Sequence, residues 1–121
     1  MASTPTDQVD GIIAAFAAQV GERNRPLALI GRFRVRAAAG SRIEKAFAKA
    51  SAHTANEAGV QAYQLHREPS NADAFVVYER WRSLDDLEAH LRTPYIAELR
   101  AEIDAVMEGQ PDFQVILPAA I

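Results

Sequence analysis

Between Leu27 and Arg36 the chain alternates strictly. Leu27, Leu29, Gly31, Phe33 and Val35 fall on one face, and Ala28, Ile30, Arg32, Arg34 and Arg36 on the other. A period of two belongs to a strand. The period then changes: Ile43, Phe47, Ala50 and Thr54 recur at helical spacing. Ser41 with Glu44 predicts a capping box at the start of that helix. It is expected to run to about Ala58, with Gly59 stopping it by taking φ > 0. Val60 to Arg67 and Ala74 to Arg82 read as two more strands, the second holding the β-prone run FVVYERW. The turn-rich Pro69-Ser70-Asn71-Ala72-Asp73 between them predicts an antiparallel hairpin. Ser83 with Asp86 caps a short helix carrying Leu84, Leu87 and Leu91. Thr93 and Pro94 start another, striped by Ile96, Leu99, Ile103 and Val106. Gly109 and Pro111 are expected to end it, and Phe113 to Leu117 forms a last strand. The order is that of a βαββαβ ferredoxin-like α+β fold.

Residues 1 to 25 lie outside this pattern and 26 to 121 carry it, so the chain divides into a helical extension and one domain. In the extension Val9, Ile12, Ile13, Phe16 and Val20 follow helical spacing. A secretory signal places cationic residues before its apolar run; here Asp7 and Asp10 stand there, so a cytoplasmic protein is expected. No stretch approaches the ~20 apolar residues of a membrane span. With 13 Lys and Arg against 16 Asp and Glu, the net charge of −3 argues against a nucleic-acid surface. The chain has no Cys, and its three His show no i, i+4 pair, so no metal site is expected. No phosphate loop or dinucleotide fingerprint occurs, and no cofactor is expected. Helices cover one face of such a sheet. The other face mixes Ile30, Val76 and Tyr78 with charges, which predicts a homodimer built by a second sheet. The extension is expected to dock on that dimer.

The run EAGVQAYQLHREPSNADAFVVYERWRSLDDLEAHLRTPYIAEL, from Glu57 to Leu99, resembles the antibiotic biosynthesis monooxygenase (ABM) family. That family shows Glu-Pro-Gly, a Tyr four residues after the Gly, a Phe-x-x-x-Glu-x-Trp strand, a Leu-x-x-His helix and Thr-Pro-His. The matching residues are Glu57 and Gly59, then Tyr63, then Phe75, Glu79 and Trp81, then Leu87 and His90, then Thr93 and Pro94. The likeness spans about residues 27 to 118. It implies a dimeric α+β barrel and chemistry of the kind the family performs, including oxygenation of anthrones and quinols without metal or flavin. Three positions depart from the pattern. Ala58 replaces the Pro, Tyr95 replaces the second His, and Val77 stands where anthrone-oxidising members carry an Asn.

By period two, Phe75, Val77, Glu79 and Trp81 share a strand face, and Leu87 and His90 lie one turn apart on the next helix. Catalytic candidates are therefore His90, Glu79 and Trp81, with Tyr63, Tyr95, Phe75, Val77 and Leu87 lining a substrate site. A carboxylate beside an imidazole orients the ring and raises its basicity. Such a pair takes a proton from a phenol or enol, and the resulting anion is rich enough in electrons to react with oxygen. The expected function is a cofactor-independent monooxygenase for a small phenolic, quinol or polyketide-like substrate. An isomerase or lyase of an enolisable ketone would use the same pair, and a non-catalytic dimeric ligand-binding module would use none of it. His90 bonded to Glu79 as a packing residue fits that last alternative. Arg32, Arg34 and Arg36 read as ion-paired or solvated, and His53 and His66 as surface residues.

Overall fold

The computed structural model describes residues 5–119. Helix α1 (Pro5–Val20) precedes strand β1 (Leu27–Val35), helix α2 (Gly40–Thr54), the hairpin of β2 (Val60–Glu68) and β3 (Asn71–Trp81), the helices α3 (Leu84–Leu91) and α4 (Pro94–Val106), and strand β4 (Met107–Ile116). The strands form one antiparallel sheet in the order β2-β3-β1-β4, which is the ferredoxin-like arrangement with an added N-terminal helix. The alternation in β1 holds over its second half, while Ala28 on the outer face is buried as well. Leu27, Leu29 and Val35 are buried beneath the helices, and Arg32 and Arg34 are exposed on the outer face.

Several boundaries differ from expectation for local physical reasons. Helix α2 starts at Gly40, so Ser41 already lies inside its first turn and the Ser41–Glu44 capping box does not form. The capping carboxylate comes from the hairpin instead: Asp73 accepts from the N–H of Gly40 at 2.8 Å and of Ala38 at 3.2 Å. The same helix ends at Thr54 rather than Ala58. Gly59 is not left-handed; the glycines with positive φ among the described residues are Gly21 and Gly109. Gly59 is required by space, because a Cβ there would collide with the Asp86 side chain. The hairpin turn is shorter than expected, since Glu68 already pairs with Asn71. Strand β4 follows α4 directly and absorbs Gly109 and Pro111. Gly109 at φ +72 lies where the β1–β4 register shifts, and Pro111 is tolerated because β4 is an edge strand.

The Ser83 and Thr93 caps are as expected. Ser83 Oγ accepts from Asp86 N–H at 3.1 Å, and Thr93 Oγ1 from Ile96 N–H at 3.4 Å.

Helix α1 docks on its own chain. Val9, Ile13, Phe16 and Val20 enter one cluster with Leu27, Leu29, Trp81, Leu84 and Leu87. Burying four such side chains contributes about 6–12 kcal/mol as an upper bound. Polar ties hold the rim: Arg92 to Asp10 at 2.6 Å, Arg100 to Gln8 at 3.1 Å, and Arg23 to Asp85 at 2.6 Å and to Glu88. At the β4 edge the ring of Phe113 lies over Gly31, 3.1 Å from where a Cβ would stand, and meets Phe16 edge-on. No helix among the described residues is long and apolar enough to cross a membrane.

Candidate functional site

Glu79 stands in β3 between Leu29 of β1 and Tyr63 of β2, and Trp81 between Leu27 and Val60. Period two turns both side chains toward the helix layer. The Ser83 cap fixes where α3 begins, which puts Leu84, Leu87 and His90 on its buried face. His90 is only 1% exposed and Trp81 is wholly buried. Their rings lie 4.5 Å apart, and the Tyr63 ring meets His90 edge-on at 5.0 Å. Tyr63 in turn stacks on Phe47 of α2 at 4.8 Å.

Two carboxylates flank the imidazole. On one side Glu57, in the loop between α2 and β2, places Oε2 2.9 Å from His90 Nδ1. The same oxygen accepts the hydroxyl of Tyr95, at the start of α4. As a carboxylate Glu57 only accepts, so Nδ1 carries the hydrogen and Nε2 keeps the lone pair. On the other side Glu79 Oε1 lies 3.9 Å from Nε2 and accepts the indole N–H of Trp81 at 3.0 Å. Spacing alone pairs His90 with Glu79; in three dimensions its hydrogen-bond partner is Glu57. Glu57 sits outside every periodic pattern. The sequence signal for it is its place in the Glu-Ala-Gly match, and nothing local joins it to a residue 33 positions onward.

Burial sets the protonation states. The Glu79 carboxyl is pushed up to about 7, mainly by desolvation and also by the Glu57 charge, with the Trp81 N–H opposing. Burial lowers the His90 pKa, and hydrogen bonding to Glu57 works against that shift. Burial also raises the Tyr63 and Tyr95 hydroxyls, so both stay protonated as donors. Burial therefore favours the neutral imidazole, with its Nε2 facing a carboxyl pushed up to about 7.

The remaining candidates separate. Leu87 is fully buried beneath α1 beside Trp81. Val77 packs with Phe47, Ala50, Ile96 and Leu99. Phe75 belongs to a cluster with Val35, Ile43 and Val106 and stacks on Phe33 at 5.5 Å. These three shape the core that supports the polar groups. His66 is exposed; His53 is exposed too, but its ring stacks on Tyr95 at 4.9 Å. Arg32 lies 3.8 Å from Asp112 on the outer face. No group of three His, Cys, Asp or Glu among the described residues is placed to hold a metal ion.

Comparison with known proteins follows the same outline. No curated protein matches the sequence. Solved structures do. A protein of Caulobacter crescentus CB15 is 25% identical, with 85% of this chain and 98% of that one covered and a TM-score of 0.76. One of Mycobacterium tuberculosis is 26% identical, covering 79% and 97%, at a TM-score of 0.72. SnoaB, a cofactor-independent oxygenase from Streptomyces nogalater, is 20% identical, covering 80% and 96%, at 0.69. The sequence itself matches the family described as antibiotic biosynthesis monooxygenase over residues 26–102, from β1 into α4, so the chain belongs to the antibiotic biosynthesis monooxygenase family.

Proposed function

We propose that the protein is a cofactor-independent monooxygenase that uses O2 on a small phenolic, quinol or polyketide-like substrate. The observation that carries this reading is the buried His90, with Nδ1 tied to Glu57 and Nε2 left as the base. In this reading Nε2 takes the proton of a substrate O–H. The substrate anion supplies the electrons that reduce O2, so that one oxygen atom enters the substrate and the other leaves as water. In this reading Glu79 carries or returns a proton, and the Tyr63 O–H serves as the oxyanion's donor, since the Trp81 N–H already rests on Glu79. Family membership supports the reading, as does the likeness in fold to the oxygenase SnoaB. We propose a cytoplasmic location as well, since the N-terminal apolar run is used as a core-packed helix.

We also propose a homodimer. The outer sheet face carries half-buried Ile30, Val76 and Tyr78 among exposed Arg32, Arg34 and Arg80, and a second copy of the same face would cover it.

The test is oxygen uptake with quinols and anthrones. His90→Ala should lower the rate by about 10²- to 10⁴-fold, the usual worth of a general base. Equal uptake in both proteins would remove His90 from the chemistry. Turnover under strict anaerobiosis would favour an isomerase or lyase of an enolisable ketone. One observation favours a non-catalytic ligand-binding module: the apolar, core-packed Val77 cannot hydrogen-bond a substrate carbonyl. Binding without any turnover would decide for that module.

A further inference from the structure

The loop that carries Glu57 touches α3 at two places. Glu57 meets His90, and two residues on, buried Gly59 meets Asp86. Asp86 and His90 are one helical turn apart on α3, on the same side. The spacings match, at roughly 6 Å along the helix and roughly 6–7 Å along the loop. The Gly59 contact is fixed from both sides. The Asp86 carboxylate accepts from Arg82 Nε at 2.8 Å, Arg82 Nη2 at 2.9 Å and Ser83 Oγ at 2.8 Å. The Gly59 carbonyl accepts the Arg82 backbone N–H at 2.8 Å.

A Cβ on Gly59 would land on Cβ, Cγ and Oδ2 of Asp86. The first two stand at the root of the side chain and the third is pinned by its donors, so Asp86 has nowhere to turn. The loop would have to retreat instead. Gly59 is not left-handed, so alanine there meets no backbone strain, only lack of space. A retreat of about 1 Å is enough to break a hydrogen bond of 2.9 Å, which is the length of the bond from His90 Nδ1 to Glu57.

We propose that Gly59 and Asp86 are positioning residues for the buried base: their close contact sets how near the loop comes to α3, and so whether Glu57 reaches His90 Nδ1. Without that acceptor the imidazole hydrogen moves to Nε2, which faces Glu79 at 3.9 Å. The nitrogen that must keep a lone pair would then carry the proton. The proposal rests on His90 as the base, but the tautomer is read without any substrate.

Nitrogen NMR of the full chain reports the tautomer of the neutral His90 ring. The wild type should show Nδ1–H. Gly59→Ala should lower the preference for Nδ1–H by about tenfold or more, the worth of one hydrogen bond to a carboxylate. Gly59→Ala with Asp86→Gly moves the missing Cβ across the contact and should restore Nδ1–H, despite the lost cap and ion pair. Gly109→Ala is the control for general loosening. It strains a left-handed position at the β1–β4 register shift and should leave the tautomer unchanged. An unaltered tautomer in Gly59→Ala, no rescue in the double variant, or an equal change in Gly109→Ala overturns the proposal. If Gly59→Ala does not fold, the double variant decides: folding with Nδ1–H sustains the proposal, and folding without it, or not folding, overturns it. A tautomer indifferent to Gly59 defeats the positioning role alone; absent oxygen uptake with the tautomer behaving as expected defeats the oxygenase reading alone.

Discussion

The two sides of the His90 ring carry the same functional group in different surroundings. Glu57 lies in a loop and collects two donors, the imidazole Nδ1–H and the Tyr95 hydroxyl. Glu79 lies in mid-sheet, accepts one indole N–H, and is held near neutrality by burial. A carboxylate with two donors is a fixed acceptor that orients its neighbour. A buried one with a single donor becomes a proton store. Depth in the fold and the number of donors, not residue type, assign these roles.

The largest expected effect comes from removing the acceptor. Glu57→Ala strands the His90 Nδ1–H and the Tyr95 hydroxyl in a part-buried place and should cost about 3–5 kcal/mol in urea unfolding. A loss no larger than that of Glu79→Ala would erase the distinction between the two carboxylates.

Next in size is a pH effect, whose sign follows from the direction of each shift. The folded pKa of Glu79 is raised from 4.5 to about 7, so its contribution is full below the unfolded value and is lost as pH rises toward 7. The folded pKa of His90 is lowered, so its contribution is present above 6.5 and is lost as pH falls below that. The two slopes oppose each other below 6.5, so the wild type should change less there than either group alone would make it. Glu79→Gln removes the carboxyl slope. Its stability should then rise with pH through the range below 6.5, and it should gain about 3 kcal/mol relative to the wild type between about pH 5 and pH 8. Parallel curves for the two proteins would mean that Glu79 holds no proton at neutrality.

The smallest effect is expected from Tyr95→Phe. It removes one of the two donors to Glu57 and should cost about 1 kcal/mol, leaving the His90 Nδ1–H tautomer visible by nitrogen NMR. Loss of that tautomer would show that Tyr95, rather than Glu57, orients the ring.

Most of the architecture was legible from periodicity, because burial on one face writes itself into spacing. The alternation in β1, the stripe in α2 and the Ser83 and Thr93 caps all correspond to short-range geometry. Trp81, Glu79 and His90 were legible as near neighbours for the same reason, since strand and helix phases put them on facing surfaces. What escaped was fixed by contacts distant in sequence. Asp73 caps α2 from the hairpin, Gly59 yields space to Asp86, and Glu57 reaches His90 from a loop. A loop residue has no phase to read, and a glycine required by a distant side chain looks like one required by a turn.

The chain has a single tryptophan, and it touches both the His90 imidazole and the Glu79 carboxyl. Its indole N–H rests on the carboxyl that burial pushes up to about 7, and its ring packs against the imidazole. The protein therefore carries an internal fluorophore beside its buried ionisable groups. Its emission is expected to report the charge of Glu79 with no label added and no other indole to obscure it.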